Sequence, residues 1–218
     1  MEIVEHTFKV AKPYTSRNKT TEIIMHCSAT PQDNDFTVDD INRWHNQQNY
    51  NGIGYNFVIY RDGTIHRGRP EDSTGAHCVN HNSNSIGICY IGGCDASGKK
   101  AKDTRTDEQK QAQYELIEYL LEKYKLNINN VYGHRDYAAK DCPSYDSQKF
   151  RDEYIKWKDE KYFSVNLGYE KAPLFRFCYD YITRQTRRFD QVEEAYNAYA
   201  ELVLYDQNRS NADNDISI

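Results

Sequence analysis

The chain has 218 residues, 38% hydrophobic and 28% charged, with a formal net charge of -5; it is long enough for one ordinary core plus a small appendage. The acidic balance and the lack of any long Lys/Arg run exclude the electrostatic footprint of a nucleic-acid binder. No stretch approaches the ~18 apolar residues of a membrane span and the first twenty residues lack the apolar core of a signal peptide, so synthesis in the cytoplasm without membrane insertion is expected unless a leader was removed, and the chain is expected to be a monomer.

Glu22 to Cys27, EIIMHC, reads as a strand buried on both faces, with His26 near its carboxyl end, where α/β sheets place their sites. Thr37 caps a helix over VDDINRWHNQQ, with Val38, Ile41 and Trp44 on one face and a structural His45 beside them. Tyr55 to Tyr60 and Thr64 to Arg67 form two strands joined by Arg61-Asp62-Gly63, a hairpin signal because Asp-Gly accepts positive φ, and the glycines before Tyr55 allow close backbone approach. GAHCVNHNSN brings His77, Cys78 and His81 together, but its Gly and Asn content makes it a loop and not a metal cluster, with His77 on the rim. Residues 85 to 91 return to strand, ended by Gly92-Gly93, and Thr106 with Gln109 makes a capping box for the amphipathic helix DEQKQAQYELIEYLLEKY.

GHRDYAAKDCPSYD, residues 133 to 146, follows that helix and carries the chemistry. His134 and Cys142 are metal-ligand types on a turn-rich loop stiffened by Pro143, with Lys140 beside them. A catalytic Zn²⁺ takes three protein ligands and keeps a fourth position open, and the third ligand is expected at His26. Cys27, Cys78, Cys89, Cys94 and Cys178 read as small buried hydrophobes. Beyond about residue 160, Phe175, Phe177, Tyr179 and Tyr181 alternate at strand period, and Val192, Tyr196, Tyr199 and Val203 recur at helical spacing. This gives an expected organisation of 1–160 for the catalytic domain, 161–206 for a small β/α module and 207–218 for a disordered tail.

The set IIMHCSAT, GIGYNFVIYRDGTIHRGRP, GAHCVNHNSNSIGICYIGG, TRTDEQ and GHRDYAAKDCPSYD, in that order over about residues 20 to 155, resembles the type 2 N-acetylmuramoyl-L-alanine amidases, in particular the phage endolysin branch related to peptidoglycan recognition proteins. The resemblance implies an α/β fold with a mixed central sheet flanked by helices, Zn²⁺ held by His26, His134 and Cys142, and catalytic roles for Tyr55 and Lys140. The reaction implied is hydrolysis of the amide between N-acetylmuramic acid and L-alanine in peptidoglycan, on the cell wall after release. His77, Asn56 and Arg135 are the candidate substrate contacts; Arg135 would meet a stem-peptide carboxylate or form a salt bridge. The chain departs from the cytoplasmic recycling amidases, which carry a Glu where this chain has Cys89, so proton transfer is expected to fall to Tyr55, Lys140 or solvent. The alternative is a non-catalytic peptidoglycan-binding module, whose members generally lose the ligand that matches Cys142.

Overall fold

A computed structural model describes the backbone of residues 1–166 and the side chains of residues 1–161. Its elements in chain order are β1 (Ile3–Val4), β2 (Glu22–Cys27), β3 (Thr30–Pro31), α1 (Val38–Gln47), β4 (Phe57–Ile59), β5 (Ile65–Arg67), β6 (Ser85–Tyr90), β7 (Gly93–Cys94), α2 (Asp107–Tyr124), β8 (Val131–Gly133) and α3 (Ser147–Asn166), with single 3-10 turns at Ile128–Asn130 and His134–Asp136. Six strands form a mixed sheet in the order β1-β5-β4-β6-β2-β8, and β3 with β7 makes a separate ribbon. β8, β2, β6 and β4 run parallel; β5 is antiparallel to β4 and parallel to β1.

The apolar runs become the central strands because both faces are covered: all six residues of β2 and all six of β6 are buried. Residues alternate faces along a strand, so Glu22, Ile24 and His26 share a face with their register partners Ser85, Gly87 and Cys89. On that face Val58 and Cys89 join Val38 and Ile41 of α1 in one cluster, against which Trp44 and Tyr55 pack. Both helix starts are capping boxes: Thr37 with Asp40, and Thr106 with Gln109. Gln109 is fully buried, and its amide also donates to the Ile59 and Ile91 carbonyls, fixing α2 to the sheet.

The hairpin forms as expected, with Gly63 at φ 84° and Asp62 Oδ1 accepting from Thr64 N–H at 2.9 Å. Its strands are shorter than the sequence pattern suggests, and Tyr55 precedes β4. Buried Arg69 holds that preceding stretch, donating to the Ile53 carbonyl at 2.9 Å, the Asn51 carbonyl at 3.2 Å and the Thr74 carbonyl at 2.8 Å.

The chain divides after Ile155, and α3 runs through the expected 160/161 boundary. In the first unit Arg105, its side chain 1% exposed, pairs with Asp103 and with Glu153 of α3 and lies 3.7 Å over the Tyr145 ring, so an ion pair, a cation–π contact and a helix brace share one guanidinium. The Phe175–Tyr181 and Val192–Val203 patterns, the tail and Cys178 lie outside the described residues.

Candidate metal centre and active site

The site follows from strand register. Met25 pairs with Gly133 across parallel β2 and β8, so the residues that follow them, His26 near the end of β2 and His134 just past β8, come side by side, with ring centroids 4.7 Å apart. The loop after His134 then returns Cys142, whose Sγ lies 3.6 Å from His26 Nδ1 and accepts the Cys27 backbone N–H at 3.3 Å. One ligand atom from each of His26, His134 and Cys142 lies within 4.8 Å of the others.

The backbone hydrogen bonds of the loop account for its shape. Arg135 N–H donates to the Cys142 carbonyl at 2.7 Å and closes it. Gly133 N–H donates to Asp136 Oδ2 at 2.8 Å and to Ser147 Oγ at 2.9 Å. Past the cis Cys142–Pro143 bond, Tyr90 O–H donates to the Pro143 carbonyl at 2.9 Å and Ser144 O–H to the Gly93 carbonyl at 2.8 Å. Cys142 is thus tied to the sheet from both sides.

The electrostatics suit metal ligation. His26 is fully buried, and desolvation holds its imidazole well below the ordinary range. His134 is lowered by burial first and by the Lys140 charge second. Both rings are therefore neutral at neutral pH, as ligands must be. The hydrogen bond with Cys27 and burial push the Cys142 thiol up; a bound cation would reverse this, since a coordinating thiol is deprotonated outright. The donor set of two imidazoles and one thiol is consistent with a metal site, and among the described residues no fourth His, Cys, Asp or Glu joins the group.

Tyr55 stands over the site, its ring 5.0 Å from that of His26 and 5.2 Å from that of His45. Burial raises its hydroxyl well above the ordinary tyrosine range, so it stays a neutral donor. His45 supports it as a structural residue, its Nδ1 accepting Gly54 N–H at 2.8 Å. The close approach expected of Gly54 is real: a Cβ there would lie 2.2 Å from the Ala76 carbonyl oxygen. Lys140 is exposed on the loop. Cys89 is fully buried with its thiol pushed well up by burial, which makes it no substitute for a carboxylate base.

Two expected substrate contacts are placed elsewhere. His77 is not on the rim: it is 9% exposed and its Nδ1 lies 3.0 Å from His26 Nε2, beneath the site. Asn56 is fully buried with both ends of its amide engaged, donating to the Pro70 carbonyl at 3.0 Å and accepting Gly87 N–H at 3.0 Å. It is a buried strut between β6 and the backbone at Pro70. Arg135 is exposed. Missed from the sequence was Glu22, buried at the start of β2, which accepts from His81 at 3.0 Å and also bonds Asn84 and Tyr137. Tyr137 stacks on His81 with centroids 3.7 Å apart, joining the ligand loop to the 77–84 loop. A lone Glu in an apolar strand was the available signal, because a buried carboxylate must be paired.

A mixed sheet that gathers two neutral imidazoles and a thiol at the ends of adjacent parallel strands, with a neutral tyrosine over them and a lysine on the rim, belongs to a hydrolytic enzyme. Residues 16–145 match the family model of the N-acetylmuramoyl-L-alanine amidases (Amidase_2), and the chain belongs to that family. It is 39% identical over 137 residues to the endolysin of Klebsiella phage KP32, covering 63% of this chain and 89% of that one, and 38% identical with the same coverage to the endolysin of Escherichia phage T7. Among solved structures it is similar to the N-acetylmuramoyl-L-alanine amidase LysC from Clostridium intestinale, 29% identical with a TM-score of 0.61 over 70% of this chain and 97% of that one. Drosophila PGRP-LB, 22% identical with a TM-score of 0.57 over 77% of this chain and 95% of that one, shares the fold. The chain is a peptidoglycan amidase of the N-acetylmuramoyl-L-alanine type.

Proposed function

We propose that this amidase is zinc-dependent and of the phage endolysin kind, with His26, His134 and Cys142 as ligands and Tyr55 and Lys140 acting on the substrate. The observation that carries the reading is the convergence of three ligand atoms within 4.8 Å, a set that favours zinc by its mixed nitrogen and sulfur donors and a catalytic role by its three members. When bound, zinc would supply Lewis acidity toward the scissile carbonyl and lower the pKa of water toward ~7.

The chain's own groups do the rest. As the amide carbonyl becomes tetrahedral its oxygen gains charge, and the Tyr55 hydroxyl, kept protonated by burial, donates a hydrogen bond to it. Lys140, whose charge is felt at His134, stabilises the same oxyanion. Protonation of the departing amine falls to Lys140 or to solvent, because Cys89 stands where a carboxylate would. Arg135, exposed beside the ligand loop, meets a stem-peptide carboxylate. The residues beyond the catalytic domain, with Arg176, Arg184, Arg187 and Arg188 among tyrosines, bind wall glycan or anionic wall polymer.

The test is paired. Purified protein should hold about one zinc per chain, as a single three-ligand site requires, and mass spectrometry of digested sacculi should show free stem peptides that begin with L-alanine. Cys142→Ala should lose both metal and cleavage; full zinc and full activity in that variant would remove Cys142 from the site.

A further inference from the structure

We propose that His77 and Ser85 preset the tautomer of His26, so that its Nδ1 lone pair faces the metal position before any metal arrives. The inference rests on the zinc reading and makes His77 a positioning residue, one that acts only through His26.

A chain of hydrogen bonds leads from His26 through His77 to Ser85, and its direction is fixed at the far end. Ser85 is fully buried, and its hydroxyl donates its only proton to the His81 carbonyl at 2.6 Å. Toward His77 Nε2, 3.5 Å away, Ser85 Oγ can then only accept. His77 must therefore carry its proton on Nε2, which leaves a lone pair on Nδ1. His26 Nε2, 3.0 Å from that lone pair, must be the donor. A neutral imidazole protonated at Nε2 has its remaining lone pair on Nδ1, the atom that lies 3.6 Å from Cys142 Sγ. A backbone carbonyl thus sets the polarity of a metal ligand through two side chains.

The ring of His77 is also clamped. A Cβ on Gly75 would lie 2.4 Å from its Cδ2, and one on Gly87, the residue paired with Ile24 in β2, would lie 2.5 Å from the same atom. The ring fits only because both neighbours lack a side chain. Asn82 Oδ1 accepts the His77 and Cys78 backbone N–H groups at 2.7 and 2.9 Å and fixes the residue from behind. None of Ser85, His77 or His26 exceeds 9% exposure, so water has little access to reset the pattern. Partners of this kind hold a ligand's orientation and typically change metal affinity 10–100-fold when removed.

The full chain, labelled with ¹⁵N at histidine and stripped of metal, should show both His26 and His77 protonated at Nε2 by their ring-nitrogen shifts. Zinc affinity, measured by competition with a chelator, should fall about 10–100-fold in His77→Ala and stay within about threefold in His77→Asn, whose Oδ1 replaces the Nδ1 lone pair. Ser85→Ala, which removes the fixed acceptor with little change in packing, should give mixed tautomers at His77. A native His26 protonated at Nδ1, or a loss in His77→Asn equal to that in His77→Ala, overturns the proposal. If His77→Ala does not fold, the native spectrum and Ser85→Ala still decide. A native chain that binds no zinc would sink the zinc reading alone, since the ring nitrogens are read without metal.

Discussion

Three residues, Tyr55, Lys140 and His45, separate what the site does from what holds it. Tyr55 and Lys140 are proposed to act on the transition state and not on the metal, so Tyr55→Phe and Lys140→Ala should keep zinc while turnover falls by about 10²-fold per lost oxyanion donor. Metal analysis beside kcat on soluble muropeptide checks this, and zinc loss in either variant would make that residue structural. His45 has a different signature. Burial lowers its imidazole to about 4, against ~6.5 in the unfolded chain. The unfolded state therefore binds the extra proton between those values, and the stabilisation present above pH ~6.5 is eroded as pH falls toward 4, by about 1–2 kcal/mol once partial exposure is allowed for. Chelator-treated His45→Asn, which keeps an acceptor for Gly54 N–H, should show a shallower acid limb in denaturant titrations than the native chain. At this scale the grouping of His26, His134 and Cys142, consistent with a metal site, was legible in the sequence because imidazole and thiol chemistry is carried by residue type. The burial of His77 and Asn56 was not, since it depends on β6, whose Gly87 leaves room for the His77 ring and whose Gly87 N–H is bridged by the Asn56 amide.

Among the elements, the segment from Val131 to Ser147 does the most, because it converts strand register into the His26, His134 and Cys142 cluster. Its weak point is Gly133, where a Cβ would lie 2.7 Å from Ser147 Oγ and 2.8 Å from Pro143 Cδ. Pro143 is rigid and follows Cys142 directly, so the strain cannot be relieved by a side-chain swing alone. Gly133→Ala should cost about 1–3 kcal/mol, in the range of overpacking changes, and should lower zinc affinity as Cys142 shifts. Thermal melts with and without added zinc would show it; a variant with native melting and native zinc affinity would mean that the loop yields freely. Helix starts were legible for a local reason: a Thr three residues before Asp40 or Gln109 closes a box within one turn. Strand lengths were less so. β4 begins at Phe57 because the preceding backbone is engaged by Arg69 and the Gly87 carbonyl, neither of which is near it in sequence.

For the whole molecule, the difference in length from its relatives carries an argument. The matched region covers 89% of the KP32 endolysin but 63% of this chain, and the family match ends at residue 145, so a substantial stretch of this protein lies beyond the family match. Selective pressure aside, aromatic rings interleaved with Arg176, Arg184, Arg187 and Arg188 have the chemistry for sugar faces and anionic polymer. The competing role is bracing of the catalytic fold. A chain ending after Asn166, the last residue whose backbone is described, distinguishes them through two substrates. Wall binding requires that the shortened protein keep its zinc and cleave soluble muropeptides at the full-length rate, while sedimenting less with purified sacculi and lysing them more slowly. High salt should narrow the gap on sacculi, because the lost arginine contacts are screened. Equal loss on both substrates, or an insoluble product, would instead place the segment within the catalytic fold and leave wall affinity to the amidase domain itself.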